Sequence, residues 1–131
     1  MIGLDTNILV RLLVNDDQKQ NNQIVKRLEE AERNGEPLFV SKLVLIEAIW
    51  VLNSIYGFNA AQIVNALEAV SQIPSIEFED IELLHKLSDD CLKYKAGLAD
   101  QLIRLDYLKN GCDIILSFDK KLCQLEKVDK P

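Results

Sequence analysis

An α/β fold is what this chain predicts: a three-layer α/β/α sandwich around a central parallel sheet of four to five strands. Three observations lead there. Short runs rich in apolar or β-branched residues alternate with longer stretches of helical spacing. The strand-like runs are almost continuously apolar, as strands covered on both faces are. Helix-length segments separate them, which fits parallel pairing with right-handed crossovers. The 131 residues suit one domain, 1–131.

The strand candidates are Met1–Leu4, Pro37–Val40, Asp113–Phe118 and, more weakly, Ser75–Phe78. Gln23 to Arg33 is a charged helix with Ile24, Leu28 and Ala31 inward, closed by Asn34-Gly35. Leu43 to Ile55 is strongly apolar. Asn59 to Ser71 opens on an Asn cap and ends before Ile73-Pro74. Asp80 to Lys93 and Leu98 to Lys109 are amphipathic, the latter closed by Asn110-Gly111. There is no internal repeat, low-complexity segment or linker.

Apolar residues make up 48% and charged residues 27%, an ordinary globular balance that excludes a disordered chain. Met1-Ile2-Gly3-Leu4 meets Asp5 at once, so no leader peptide is expected. The longest uncharged stretch, Ala48 to Leu67, is interrupted by Asn53, Gly57, Asn59 and Gln62. It reads as two helices meeting at a turn and not as a membrane span. Cys91, Cys112 and Cys123 are odd in number and widely spaced, which supports free thiols in a reducing cytoplasm over a zinc site or a disulfide framework. A net charge of −6 argues against loose wrapping of nucleic acid, but not against chemistry on it at a metal site.

In a parallel sheet, ligands gather at the carboxyl ends of the strands. Asp5 follows the first strand and Asp119 follows Ile114-Ile115-Leu116-Ser117-Phe118. Either could instead simply cap a helix. Glu47 has Leu43, Val44, Trp50 and Val51 as helical neighbours, which places it on a face expected to enter the core. A buried carboxylate needs a cation or a proton; a position at the edge of that face, reaching solvent, is the alternative. Asp100 lies in the first turn of its helix, where the dipole alone favours an acid. Should the four converge, each pair at ~5 Å would repel by about 3 kcal/mol at an effective dielectric near 20. Only metal binding could compensate such a cluster, and hard oxygen donors select Mg²⁺ or Mn²⁺. Such a metal suits phosphoryl chemistry.

The same residues resemble a known family. Ile2-Gly3-Leu4-Asp5-Thr6-Asn7-Ile8-Leu9-Val10, Val40-Ser41 with Leu43-Val44-Leu45-Ile46-Glu47, Ala99-Asp100-Gln101-Leu102-Ile103, and Gly111 through Leu122 are similar to the four motifs of the PIN domain. Within it the chain resembles the VapC-type ribonuclease toxins of toxin–antitoxin pairs. The resemblance implies a parallel sheet between helices, an acidic Mg²⁺ or Mn²⁺ site, and hydrolysis of RNA phosphodiester bonds. It implies that Asp5, Glu47, Asp100 and Asp119 are the metal-binding and catalytic acids, with Asp5 and Asp100 the most direct ligands. Asn7 and Ser117 would support them by hydrogen bonds. Thr6 would do so too, or would be an ordinary first-turn residue. A small antitoxin protein and a homodimer are the implied partners. Many relatives carry a further acid where this chain has Gly97, so one firm metal is expected at rest; a turn needing positive φ would also explain that glycine.

Other residues have plainer readings. His85 is a structural or exposed histidine, and Trp50 and Tyr56 are core or groove residues. Lys42, Lys93, Lys95, Arg104, Lys120 and Lys121 either flank an RNA path or form a solvated face. The leading function is an endoribonuclease toxin. The alternatives are a PIN nuclease in RNA processing and a non-catalytic α/β binding module.

Overall fold

The computed structural model describes all of residues 1–131. It resolves into two compact units, Met1–Ile81 and Glu82–Pro131. No helix is long and apolar enough to cross a membrane.

The first unit starts with strand β1 (Ile2–Gly3) and helix α1 (Thr6–Val14). Asn15, left-handed at φ 55°, ends α1 by donating its N–H to the Arg11 carbonyl. Helix α2 (Gln18–Arg33) begins at Asp17, whose side chain accepts from the Gln20 N–H, and Gly35 at φ 64° turns the chain away from it. Strand β2 (Leu38–Val40), helix α3 (Lys42–Ser54), helix α4 (Ala60–Ser71) and strand β3 (Ile76–Phe78) follow. Asn59 and Gln62 close a reciprocal capping box on α4, which satisfies two otherwise orphaned N–H groups.

The strands pair in the order β1-β2-β3, all parallel, with Ile2 opposite Leu38 and Leu38 opposite Ile76. The core of this unit draws on Leu9 from α1, Leu38 and Val40 from β2, Leu45, Ala48, Ile49 and Leu52 from α3, and Ile63 and Leu67 from α4.

The second unit holds most of helix α5 (Ile81–Asp90), then helix α6 (Leu98–Lys109), strand β4 (Ile115–Leu116), a 3-10 turn (Leu122–Gln124) and strand β5 (Val128–Asp129). Gly111 at φ 89° stops α6, a conformation that favours glycine. Strands β4 and β5 pair in parallel, and Ala96, Ile115, Leu122, Leu125 and Val128 pack under them.

The α/β class with parallel strands is as expected, with one change. The strands form a three-stranded sheet and a separate two-stranded pair, in place of one sheet of four to five. Each strand is only two or three residues long, so a few hydrogen bonds define each sheet.

A second correction concerns α3. Its buried face is Leu45, Ala48, Ile49 and Leu52, which leaves Leu43 and Trp50 exposed at 78% and 59%. Trp50 is therefore not a core residue. Leu52, wholly buried, should lose about 2–5 kcal/mol of stability on replacement by Ala. Leu43→Ala should change it by less than about 0.5 kcal/mol. Urea unfolding of both variants measures the difference, and equal losses would contradict this choice of face.

Candidate active site

In the first unit the parallel pairing directs the chain. The Leu4 N–H donates to the Phe39 carbonyl at 2.9 Å, extending β1 to the point where Asp5 follows. Asp5 is exposed and caps α1: its Oδ1 accepts from the Thr6 N–H at 2.9 Å. The capping role anticipated for this residue is thus present, and it engages one carboxylate oxygen. Strand β2 leads into Ser41, whose hydroxyl accepts from the Val44 N–H and starts α3.

Glu47 lies one turn further along α3 and is exposed. It does not face the core, contrary to expectation, because α3 buries the Leu45–Leu52 side. Its Oε2 accepts a 2.5 Å hydrogen bond from the Thr6 hydroxyl. Thr6 therefore ties the residue after Asp5 to the helix that carries Glu47. Asn7 is exposed in the first turn of α1.

In the second unit Asp100 stands half-buried in the first turn of α6. Burial first, and the neighbouring Asp119 charge second, push its carboxyl above the ordinary range. Asp119 itself is exposed after β4. Its N–H donates to the Ser117 hydroxyl at 3.0 Å, and its Oδ1 accepts from the Leu122 N–H at 2.8 Å. Ser117 and the 3-10 turn thus fix where this carboxylate stands.

Gln101 is a residue whose role the sequence did not disclose. It is 3% exposed, and its side-chain amide donates to the carbonyls of Ala96 at 2.8 Å and Cys91 at 3.3 Å. It pins the loop before α6 next to Asp100. A glutamine directly after an acid in a helix's first turn was the available signal.

Several expectations change here. Gly97 has φ −58°, so no left-handed turn explains it. It precedes α6 without a side-chain cap, and a Cβ placed on it would lie 3.4 Å from Asp100 Oδ2. Arg104 is 9% exposed with its Nε donating to the Glu126 carbonyl, so it braces the C-terminal turn and belongs neither to an RNA path nor to a solvated face. Lys42 pairs with Glu79 and Lys93 with Asp90. His85 is exposed on α5, and the three cysteines are free thiols.

Neither unit by itself gathers three or more His, Cys, Asp or Glu side chains into a group able to hold a metal ion. What the structure does supply is all-oxygen carboxylate chemistry, with Asp5 and Asp119 just past strand ends and a mutually repelling pair, Asp100 and Asp119, in the second unit. A divalent cation fits that donor set, since it would relieve the repulsion between Asp100 and Asp119.

Compared with known families, residues 2–128 match the PIN domain. The chain belongs to the PIN domain family, a three-layer α/β/α fold whose members are in general nucleases acting on RNA and using divalent metal ions. Among curated proteins the chain has no match.

The raised Asp100 carboxyl has a consequence for stability. The protonated form is favoured in the folded state, so its contribution is present below the ordinary carboxylate range and is lost as pH rises through the raised value. At neutral pH, ionised Asp100 opposes folding. Asp100→Asn should therefore melt higher than the parent at neutral pH in EDTA. The advantage should shrink on acidification, where Asp100 is itself neutral. Calorimetry across pH checks this, and a lower melting temperature for Asp100→Asn at neutral pH would refute it.

Proposed function

We propose that this protein is a metal-dependent endoribonuclease, with Asp5, Glu47, Asp100 and Asp119 as its catalytic and metal-binding acids. The observation that carries the reading is Asp100. It is a half-buried carboxylate beside a second carboxylate, held at a position that opposes folding when both are charged. Perturbed acids of this kind cluster at functional sites. Family membership supports the substrate class.

Each residue has its task. Asp5 and Asp100 are the direct ligands of Mg²⁺ or Mn²⁺. Glu47 and Asp119 hold and orient water near them. Thr6 and Ser117 support Glu47 and Asp119 through the hydrogen bonds described above, and Asn7 adds a polar side chain to the same motif as Asp5. When bound, the cation supplies positive charge to the phosphate and acidifies the attacking water. A side chain at position 97 would stand beside Asp100, a Cβ there meeting its Oδ2 at 3.4 Å; with Gly97 in place of a further acid, the chain would hold one firm metal at rest and a second only together with substrate.

We further read the chain as the toxin of a toxin–antitoxin pair. In that reading it is a single nuclease domain, a cytoplasmic homodimer, and is neutralised by a small antitoxin. This subtype rests on the resemblance of all four motifs. A role in RNA processing keeps the same chemistry without the antitoxin.

The wild type should cleave total RNA with Mn²⁺ or Mg²⁺ and fall silent in EDTA. Asp5→Asn and Asp100→Asn should lower the rate by orders of magnitude while remaining folded. Full activity in EDTA, or in Asp100→Asn, would overturn the assignment. Thr6→Val leaves all four acids in place and removes only the hydroxyl on Glu47; it should cost about 10- to 100-fold in activity or metal affinity. Unchanged rate and Mn²⁺ affinity in Thr6→Val would remove Thr6 from the machinery.

A further inference from the structure

We infer that the pocket between α1 and α2 takes one guanine base of the RNA, held by the Arg11 guanidinium. This rests on the nuclease reading above and adds a base-selecting subsite to it.

Two helix faces build the pocket. Asn7, Ile8 and Arg11 of α1 meet Gln20, Gln23 and Ile24 of α2 around a volume of about 270 Å³. Asn7 and Arg11 are four apart on one helix, and Gln23 and Ile24 are three and four past Gln20 on the other, so each set runs along one face. The volume lies just below the roughly 300–1,000 Å³ of pockets for drug-sized ligands, which suits a single ring system. Asn7 stands two positions past Asp5, so the pocket begins beside the first candidate acid.

Its hydrogen-bonding groups are held in place but unfilled. Arg11 Nη1 donates to Asp16 Oδ1 at 2.5 Å and to the Tyr56 hydroxyl at 3.4 Å. These bonds fix the guanidinium and leave Nε and Nη2, a planar fork of two parallel donors, without a partner in the protein. The side-chain amides of Asn7, Gln20 and Gln23 have no partner in the protein either.

That inventory selects the occupant. The fork offers donors only, so it needs two neighbouring acceptors. Guanine presents O6 and N7 side by side, and arginine on that edge is the commonest base-specific contact. Adenine sets an N6 donor beside its N7, and the pyrimidines present no such pair. The amide carbonyls of Asn7, Gln20 and Gln23 can accept from the N1–H and N2–H₂ groups that guanine carries on its other edge. A phosphate is the rival ligand for such a fork. Charge disfavours it, because Asp16 and Asp17 both act on Arg11 and would repel an anion there. A neutral base meets no such repulsion.

The test titrates Asp100→Asn protein, in Mn²⁺, with labelled twelve-residue oligouridylates. Each carries one central guanosine, adenosine or 7-deazaguanosine, and anisotropy reports binding. Guanosine should bind about 5- to 150-fold tighter than adenosine. The 7-deaza oligomer lacks only the N7 acceptor and should fall toward adenosine. Arg11→Lys keeps the charge beside Asp16 but has no fork. It should erase the guanosine preference while affinity for the adenosine oligomer stays as in the parent. Gln23→Leu leaves Arg11 untouched and should lower the preference about 2- to 12-fold.

Equal or undetectable binding of the guanosine and adenosine oligomers would overturn the inference. So would a preference that survives both Arg11→Lys and Gln23→Leu. A loss in Arg11→Lys that is the same for all three oligomers would put a phosphate in the fork and overturn it too. Wild-type cleavage of total RNA, assayed alongside, separates the two claims. Cleavage without guanosine preference ends only this inference, whereas guanosine preference without cleavage in Mn²⁺ or Mg²⁺ ends only the nuclease reading.

Discussion

Parallel pairing is the constraint from which the first unit's arrangement follows. Strands that run the same way end on the same edge, so whatever follows each strand is delivered there. Asp5 comes after β1. Ser41 comes after β2 and starts the helix that presents Glu47. Glu79 comes after β3 and accepts from the Lys42 N–H at the head of that same helix. The Thr6–Glu47 hydrogen bond joins two of these segments across 41 positions of sequence. The second unit obeys the same rule on a smaller scale, with Ser117 and Asp119 just past β4.

The two acid groupings differ in what holds them. Asp5 and Glu47 are exposed and fixed by hydrogen bonds from Thr6, so water still screens them. Asp100 is partly withdrawn from water beside Asp119, and burial and then that charge push its carboxyl above its ordinary range. Gln101 and the 3-10 turn hold the backbone that keeps this pair in place. The ionised form of Asp100 is thereby set against the stability of the folded state.

Much of this was readable in advance. Helices α2, α4 and α6 carry clear periodicity with caps or glycine stops, and α5 periodicity alone; α6 runs over the residues expected of it, whereas α2 starts at Gln18 and not at the expected Gln23. Helix α1 was legible only as a possible cap at Asp5, because Ile8-Leu9-Val10 and Leu12-Leu13-Val14 are too continuously apolar to show a period. Helix α3 was found, but its orientation was not. Apolar residues run nearly all round it, so periodicity gave no reason to bury Ala48 and Ile49 in preference to Trp50. That one ambiguity explains why periodicity puts Glu47 first on the core face, with a solvent-reaching edge as the alternative, and why Trp50 reads as core or groove. Strand β5 has no pattern to find: Val128-Asp129 is two residues long, and its place depends on β4 and on Arg104 reaching the Glu126 carbonyl. Gly97 invited a backbone explanation that its ordinary φ removes. The motifs around the four acids were visible as residue types at spacings; the hydrogen bonds from Thr6 and Ser117 could come only from coordinates.

Strand length also bears on the order in which the chain organises itself. The pairings of Ile2 with Leu38 and of Leu38 with Ile76 each join residues more than thirty positions apart, through strands of two or three residues. Such contacts repay little of the loop-closure entropy that must be spent to reach them. The helices between them are closed by contacts nearer in sequence, and several carry caps of their own. The three-stranded sheet therefore carries most of the chain's long-range closure cost. In synthesis β1 emerges more than thirty residues ahead of β2, and until β2 follows, the Ile2 and Leu4 N–H groups lack the Pro37 and Phe39 carbonyls they donate to. Over that interval Asp5 exists before the helix of Glu47, to which Thr6 will tie it.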